Sequence, residues 1–421
     1  STYHKVKEVI NTYVSIFNAP ADNGSILPWV AFLPTNTQAA NGMNYVSIEG
    51  AVWKPGAHNH FKRYRFYTGR VDLEKTITRT YDLGSTTNYL ETETTNFWDD
   101  LPSYYFNVSR VQTKDSEGVT RETRFYYPYD QSSLTGLTTP EINALSAMRN
   151  TLNMIAPVIQ QEEYVGTTKT STVRNNFEYF STPATYLPSS IEVAKGSSAL
   201  ETRLTMHEYD ANRNLLSVSK DGGVKYRYLY AYGNAHLPVA QVIGADSNND
   251  IAYTSFEALE KGNWTYSENP YTDVNSPSGK MYYRLSLGSI SKTGLSSSKK
   301  YKVTFYAKNG VPTLNGVQSS VNGAEANAHG WTYYERVVTG ISTLTISSGT
   351  AYIDELRLYP IDAQMITYTY EPMVGVTTEV GMNHNILRYQ YDKFSRLELI
   401  KDWKGHVIKA FDYQYQTTTS Y

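Results

Sequence analysis

The sequence predicts an all-β protein: an open strip of tyrosine-rich antiparallel hairpins, interrupted by one β-sandwich and carrying one short helix. Three observations predict it. Tyrosine occurs 38 times in 421 residues, against 13 phenylalanines and 6 tryptophans, and tyrosine joins high strand propensity to a polar tip that suits half-wet sheet faces. Hydrophobicity alternates with a period of two along most of the chain, as in Thr304-Phe305-Tyr306-Ala307, Thr343-Leu344-Thr345-Ile346 and Tyr226-Arg227-Tyr228-Leu229-Tyr230. An acidic, glycine-containing turn followed by a Tyr-x-Tyr strand also recurs.

Taken in order, residues 1–75 read as a β-rich lead-in and residues 76–245 as the repeats. Lys114-Asp115-Ser116-Glu117-Gly118 leads into Arg124-Phe125-Tyr126-Tyr127, Lys220-Asp221-Gly222-Gly223 into Tyr226–Tyr230, and Lys401-Asp402-Trp403-Lys404-Gly405 into Phe411–Tyr415. Tyr-Asp dipeptides stand at Tyr81-Asp82, Tyr129-Asp130, Tyr209-Asp210 and Tyr391-Asp392. The last two precede matching strands, Leu215–Val218 and Leu397–Ile400. Asp and Gly supply a capped, positive-φ turn, and Tyr-x-Tyr puts successive rings on one sheet face. One hairpin cannot bury that face, so the hairpins must stack edge to edge. Within this region Thr139 as N-cap, Pro140 and Glu141 open a helix, which Ile142, Leu145, Met148, Leu152 and Ile155 continue at helical spacing until Pro157.

Residues 246–360 have another texture. Asp246-Ser247-Asn248-Asn249-Asp250 reads as a linker, and short strands punctuated by Gly, Ser and Asn follow as far as Tyr352–Pro360. The length suits a β-sandwich, so this is a domain inserted into the strip. Residues 361–421 resume the repeats at Tyr368-Thr369-Tyr370.

Composition excludes several functions. Lys and Arg total 38 against 40 Asp and Glu, a net charge of −2, which argues against a nucleic-acid partner held by counterion release. With no cysteine there is no disulfide framework, thiolate nucleophile or zinc–thiolate site. No window approaches the roughly 20 apolar residues of a membrane span. Ser1 opens a polar segment with neither a basic nor an apolar leader region, so either a cytosolic chain or a processed fragment is expected, and the missing initiator methionine favours a fragment. His58-Asn59-His60 lacks a third ligand nearby and reads as a solvated loop. Trp98-Asp99-Asp100 reads as a turn. Lys62, Arg63 and Arg65 interleaved with Phe61, Tyr64, Phe66 and Tyr67 read as an amphipathic strand. No nucleophile elbow, zinc-protease, phosphate-loop or dinucleotide motif occurs, so a non-enzymatic role is expected.

At the level of motifs, Tyr209-Asp210-Ala211-Asn212-Arg213-Asn214-Leu215, Tyr230–Ala240, Tyr368–Gly375 and Tyr389–Leu397 resemble the YD-repeat (RHS) proteins, in particular the large secreted ones of Bacteroidetes-type bacteria. The resemblance covers roughly residues 76–245 and 361–415. It implies a β-strip that coils into a hollow shell, which too few repeats are present here to close, so a segment of a longer protein or a partner-completed structure is expected. The usual Phe-Gly-Arg appears as Phe394-Ser395-Arg396, and the usual acidic turn as Gly381-Met382-Asn383-His384. Irregular hairpins are expected at these two turns. The self-cleaving region and toxin of the family have no counterpart in this sequence.

The insert resembles carbohydrate-binding modules of the galactose-binding-like jelly-roll type, through Ser255-Phe256-Glu257, Gly262-Asn263-Trp264, Tyr301–Lys308, Gly330-Trp331-Thr332 and Tyr352–Leu358. The resemblance implies a structural calcium at Glu257 and Asp354, completed by carbonyl and water oxygens. Sugar recognition needs aromatic platforms, for which Trp264, Tyr266, Tyr271 and Trp331 are the candidates, with Tyr266 and Tyr271 favoured because tryptophans at such positions are commonly core. The expected function is structural display and glycan binding outside the cell or on its outer surface. The alternative is a scaffold or shell part of a toxin or secretion-system complex that binds a partner protein through exposed strand edges.

Overall fold

The computed structural model describes residues 6–17, 39–40, 43–44, 69–82, 85, 87–99, 107–233, 236–267, 269–323, 329–347 and 349–414. His58, His60, Lys62, Arg63, Arg65 and Asp100 lie outside the described residues. The described chain is nearly all antiparallel β-structure. It divides into two compact units, one of residues 1–134, 154–173 and 194–199, the other of residues 135–153, 174–193 and 200–421.

The first unit is a meander. Lys7–Phe17 pairs with Gly69–Tyr81, which pairs with Tyr89–Trp98, then Val108–Lys114, Thr120–Tyr126 and Gln160–Val165. Charged side chains are bonded along and across it. Glu122, 6% exposed, accepts from Gln112 (2.9 Å) and Arg110 (3.4 Å) on the neighbouring strand and from Arg124 (2.5 Å) on its own, and Glu162 accepts from Lys169 at 2.5 Å. Such pairs stabilise a sheet that lacks a continuous apolar face.

The second unit holds the helix, a hairpin strip and the insert. The helix runs Thr139–Asn150 and is capped by Thr138, one residue earlier than expected, with the Glu141 carboxylate taking the Thr138 N–H at 2.5 Å. It stops short of Ile155 because the Leu152 N–H folds back on the Ala147 carbonyl (2.9 Å) and Asn153 takes φ +53°.

In the strip, Thr185–Lys195, Glu201–Tyr209, Leu215–Lys220, Lys225–Ala231 and Leu237–Ile243 pair in succession. The next partner of Leu237–Ile243 is Gln364–Glu371, with Ile243 opposite Gln364 and Ala240 opposite Thr367. The strip therefore closes directly across the insertion and continues through Gly375–Val380, Ile386–Tyr391, Leu397–Asp402 and Val407–Ala410.

The turns show why the repeat recurs. Asp115, Asp210, Asp392 and Asp402 each use Oδ1 to accept the backbone N–H groups two and four residues on, at 2.8–3.1 Å. The residue three positions on has positive φ: Gly118 (+80°), Arg213 (+69°), Ser395 (+59°) and Gly405 (+89°). The expected irregularity at the two glycine-poor turns is not found. Ser395 takes the left-handed conformation itself. At Gly381 the same backbone turn forms without an Asp, its N–H bonding the Asn385 carbonyl at 2.9 Å and His384 at φ +61°. Since a left-handed non-glycine residue costs on the order of 1 kcal/mol, Ser395→Gly is expected to stabilise the protein by about that amount in a urea melt. Lys220-Asp221-Gly222-Gly223, read as the same turn, is a tight hairpin with both Asp221 (+50°) and Gly222 (+67°) left-handed.

The insert is an unequal sandwich. A seven-stranded sheet contains Tyr271–Thr272, Met281–Arg284, Tyr352–Pro360, Lys300–Lys308, Thr332–Thr339 and Val317–Asn322, with Ala252–Thr254 also on Tyr352–Pro360. Its other layer is the pair Ile290–Thr293 and Thr343–Ile346. Phe256, Trp264, Tyr283, Tyr301, Phe305 and Leu358 are among the core residues between them. The segment Asp246–Asp250 is not a free linker. Ser247 caps a short 3-10 turn, and buried Asp250 accepts from Tyr301 Oη (2.6 Å) and Lys299 Nζ (2.8 Å). From the strip, Arg227, 1% exposed, reaches the Ala245 carbonyl (3.0 Å) and the carbonyl of Asp246, and pairs with Glu208 through both terminal nitrogens.

Candidate functional site

Three features of the second unit have the organisation expected of a site: a row of tyrosines along one rim of the strip, a buried ionic junction between strip and sandwich, and an aromatic corner on the sandwich.

The tyrosine row is a relay. The residue that pairs with one tyrosine lends its carbonyl to the next. Tyr209 pairs with Leu215, and the Leu215 carbonyl accepts the Tyr230 hydroxyl at 3.0 Å. Tyr230 pairs with Pro238, whose carbonyl accepts Tyr370 at 2.8 Å. Tyr370 pairs with Val376, whose carbonyl accepts Tyr391 at 2.9 Å. Tyr391 pairs with Leu397, whose carbonyl accepts Tyr413 at 2.9 Å. A register shift stands immediately before Tyr209, Tyr230, Tyr370 and Tyr391, and such bulges re-aim a side chain across the ladder. Burial pushes the hydroxyls of Tyr209, Tyr230 and Tyr370 up to about 12, so they remain donors at neutral pH. Tyr-Asp tyrosines (Tyr209, Tyr391) and Tyr-x-Tyr tyrosines (Tyr230, Tyr370) thus do the same work on alternate strands. Tyr230→Phe is expected to cost about 0.5–1.5 kcal/mol, read as a lowered urea midpoint with unchanged slope. Tyr228→Phe, which loses only a 3.4 Å bond from Gln241, should cost less.

The junction centres on Arg357, fully buried on the last sandwich strand. Its Nε and Nη2 donate to Glu355 Oε1 at 2.9 and 2.8 Å. The remaining donors cross to the strip: Thr367 Oγ1 at 2.6 Å, the Val380 carbonyl at 3.0 Å, and the Met365 and Gly381 carbonyls at 3.3 Å. Tyr253 donates to Glu355 Oε2 at 2.9 Å. Glu355 sits at φ +53° beside a register shift opposite Thr304–Tyr306. Sequence reading missed both residues. The only available signal was three charges within four residues, Asp354-Glu355-Leu356-Arg357, inside a strand otherwise apolar.

Next to it lie the two acids singled out for calcium. Asp354 is fully buried and accepts from Ser278 N–H (2.8 Å) and Oγ (3.2 Å). Glu257 Oε1 accepts the backbone N–H of Lys280 at 2.5 Å and that of Met281. The structure therefore brings both onto one loop, residues 276–281. Burial, first, raises both carboxyl groups above the ordinary range. The donor set does not fit a calcium ion. Calcium takes six to eight oxygens, whereas here amide and hydroxyl hydrogens point at the carboxylates, and among the described residues no group of three or more acidic, His or Cys side chains surrounds an ion site. A thermal melt with and without chelator is expected to show the same midpoint.

Of the four aromatic candidates, Trp264, Tyr266 and Trp331 are 3%, 8% and 1% exposed, so no ring face is open at these three. Tyr266 packs on Phe256 and Tyr283 in the core. Tyr271, 37% exposed, lies on the edge of the seven-stranded sheet opposite Tyr282. There Arg284 stacks 3.8 Å from the Tyr271 ring centre and 4.9 Å from that of Tyr352. Its Nε and Nη2 donate to the Tyr282 hydroxyl at 3.1 and 2.8 Å.

No protein-family model matches the chain, and no curated protein matches it. Among solved structures the chain is similar to the crystal structure of TcdB2-TccC3, at 10% identity and a TM-score of 0.21, covering 82% of this chain and 23% of that one. The same complex without its hypervariable C-terminal region gives 11% identity, a TM-score of 0.22 and coverage of 82% and 22%. The TcdB2-TccC3-Cdc42 crystal structure gives 10%, 0.20, 82% and 22%. The chain spans less than a quarter of the length of these structures.

Proposed function

We propose that this chain is a non-enzymatic wall segment of a YD-repeat protein that works outside the cell or on its surface, with the sandwich as a fixed glycan-binding face. The relay of tyrosine hydroxyls carries this reading. It repeats from hairpin to hairpin, passes from Pro238 to Tyr370 across the insertion, and ties each unit to the next, which is how a quasi-one-dimensional wall is extended. The buried acids support the non-enzymatic part, since Asp250, Asp354 and Glu355 are each engaged by structural donors. The glycan part rests on Tyr271. Electron microscopy of the longer parent polypeptide tests the wall: a continuous curved sheet with the sandwich seated on it is expected, and separate globular beads would refute it.

A protein partner is favoured by one observation: adjacent hairpin tips expose Met373 (100%) and Phe394 (64%). If these tips dock another chain, Met373→Ser with Phe394→Ser abolishes co-purification of the parent assembly. Unchanged recovery removes this reading.

A further inference from the structure

The aromatic corner has features that neither the wall nor the sandwich core requires. Tyr271, Tyr282, Arg284, Lys308, Trp331 and Tyr352 form one connected cluster on adjacent strands. Tyr282 lies 5.9 Å from Tyr271, 5.0 Å from Tyr352 and 5.8 Å from Trp331, ring centre to ring centre. Across the sheet, Tyr352 stands between Arg284 on one side and Lys308 on the other, so both cations share its face. Arg284 is half-buried, and among the described residues no carboxylate pairs with it. Two of its five donors are spent on the Tyr282 hydroxyl. The stacked rings hold the guanidinium plane while the other donors remain available. Lys308 lies 3.9 Å from the Asp273 carboxylate, and its ammonium lies 5.9 Å from the Trp331 ring.

A planar, pre-oriented guanidinium with unspent donors matches the two oxygens of a carboxylate or sulfate. An exposed tyrosine ring beside it matches the apolar face of a pyranose. From this juxtaposition we infer that the corner binds an acidic saccharide, with Arg284 on the anionic group, Tyr271 under the ring and Lys308 supplying a second positive charge. The inference rests on the glycan-binding reading above and adds the ligand's charge to it.

Native affinity gels of the intact chain, cast with polygalacturonate or with neutral galactan, test it. The chain carries a net charge of −2, so its overall charge does not attract it to a polyanion. Retardation in polygalacturonate at least 10-fold stronger than in galactan is expected, weakening as salt rises. Arg284→Gln should abolish the preference and Tyr271→Ala the binding, with melting midpoints near that of the parent chain. Tyr271→Phe, which keeps the ring, should bind as the parent does. Equal retardation in the two gels, or an unaffected Arg284→Gln, overturns the acidic assignment. Retardation in galactan alone overturns it and leaves glycan binding standing, and none in either gel overturns both.

Discussion

Arg357→Ala is expected to destabilise the second unit by about 3–5 kcal/mol, the range for removing one partner of a buried ion pair. The loss is large because the guanidinium does two jobs. It neutralises Glu355, 2% exposed, and it satisfies carbonyls of Met365, Val380 and Gly381 on the strip. With Arg357 gone, a carboxylate and three carbonyls are left inside without their partner. Removing the charge as well should recover much of the loss, so Arg357→Met with Glu355→Gln is expected to be distinctly more stable than Arg357→Ala. Urea midpoints of the three proteins measure this. A loss below about 1 kcal/mol for the single variant would show that the junction is wet and that strip and sandwich are only loosely joined.

Acid is expected to destabilise the same junction through His384. The ring packs 4.6 Å from Tyr333, and Tyr306 donates to the His384 carbonyl at 3.3 Å. Burial, helped by the positive charges of Arg357 and Lys302, lowers its pKa to about 3. Above about pH 6.5 the histidine is neutral folded or unfolded and contributes no pH dependence. Below that, the unfolded chain binds a proton that the folded chain refuses, so stability falls until about pH 3, by at most about 1.4 kcal/mol per pH unit. Glu257 and Asp354, with pKa values raised by burial, act in the opposite sense, because the folded chain protonates them first. The measurement is therefore a difference. His384→Asn, which tolerates the left-handed backbone and does not titrate, should lose on the order of 3 kcal/mol less than the parent between pH 7 and 4. Parallel pH profiles would show that His384 is solvated.

The class of fold and the repeat were legible because they rest on local chemistry. An Asp that caps its own turn and a tyrosine that follows a bulge act within a few residues, so their spacing appears directly in Tyr209-Asp210 and Tyr391-Asp392. The change in texture at residues 246 and 360 stands between two strands that pair with each other, Leu237–Ile243 and Gln364–Glu371. What was illegible depends on which face of a strand is covered, and by what. Tyr266 looks like a sugar platform in sequence, but the side chains that bury it, Phe256 and Tyr283, come from other segments of the insert. Asp246–Asp250 reads as a linker because it is polar, and its partners Arg227, Lys299 and Tyr301 are brought up only by the fold. Arg284 passed unnoticed because an arginine in a strand usually faces solvent. Its interest comes from Tyr271 and Tyr352, which pairing brings beside it.

The repeat strip and the inserted sandwich are expected to open as one cooperative body, with the tyrosine relay unbroken between Leu237–Ile243 and Gln364–Glu371. Native-state hydrogen exchange of the intact chain tests it most directly. Amides of Lys225–Ala231, Gln364–Glu371, Lys300–Lys308 and Tyr352–Pro360 are expected to share one opening free energy, and Arg357→Ala should lower all four together. A sandwich that stays protected while the strip exchanges freely, or a variant that loosens only one of them, would contradict the account.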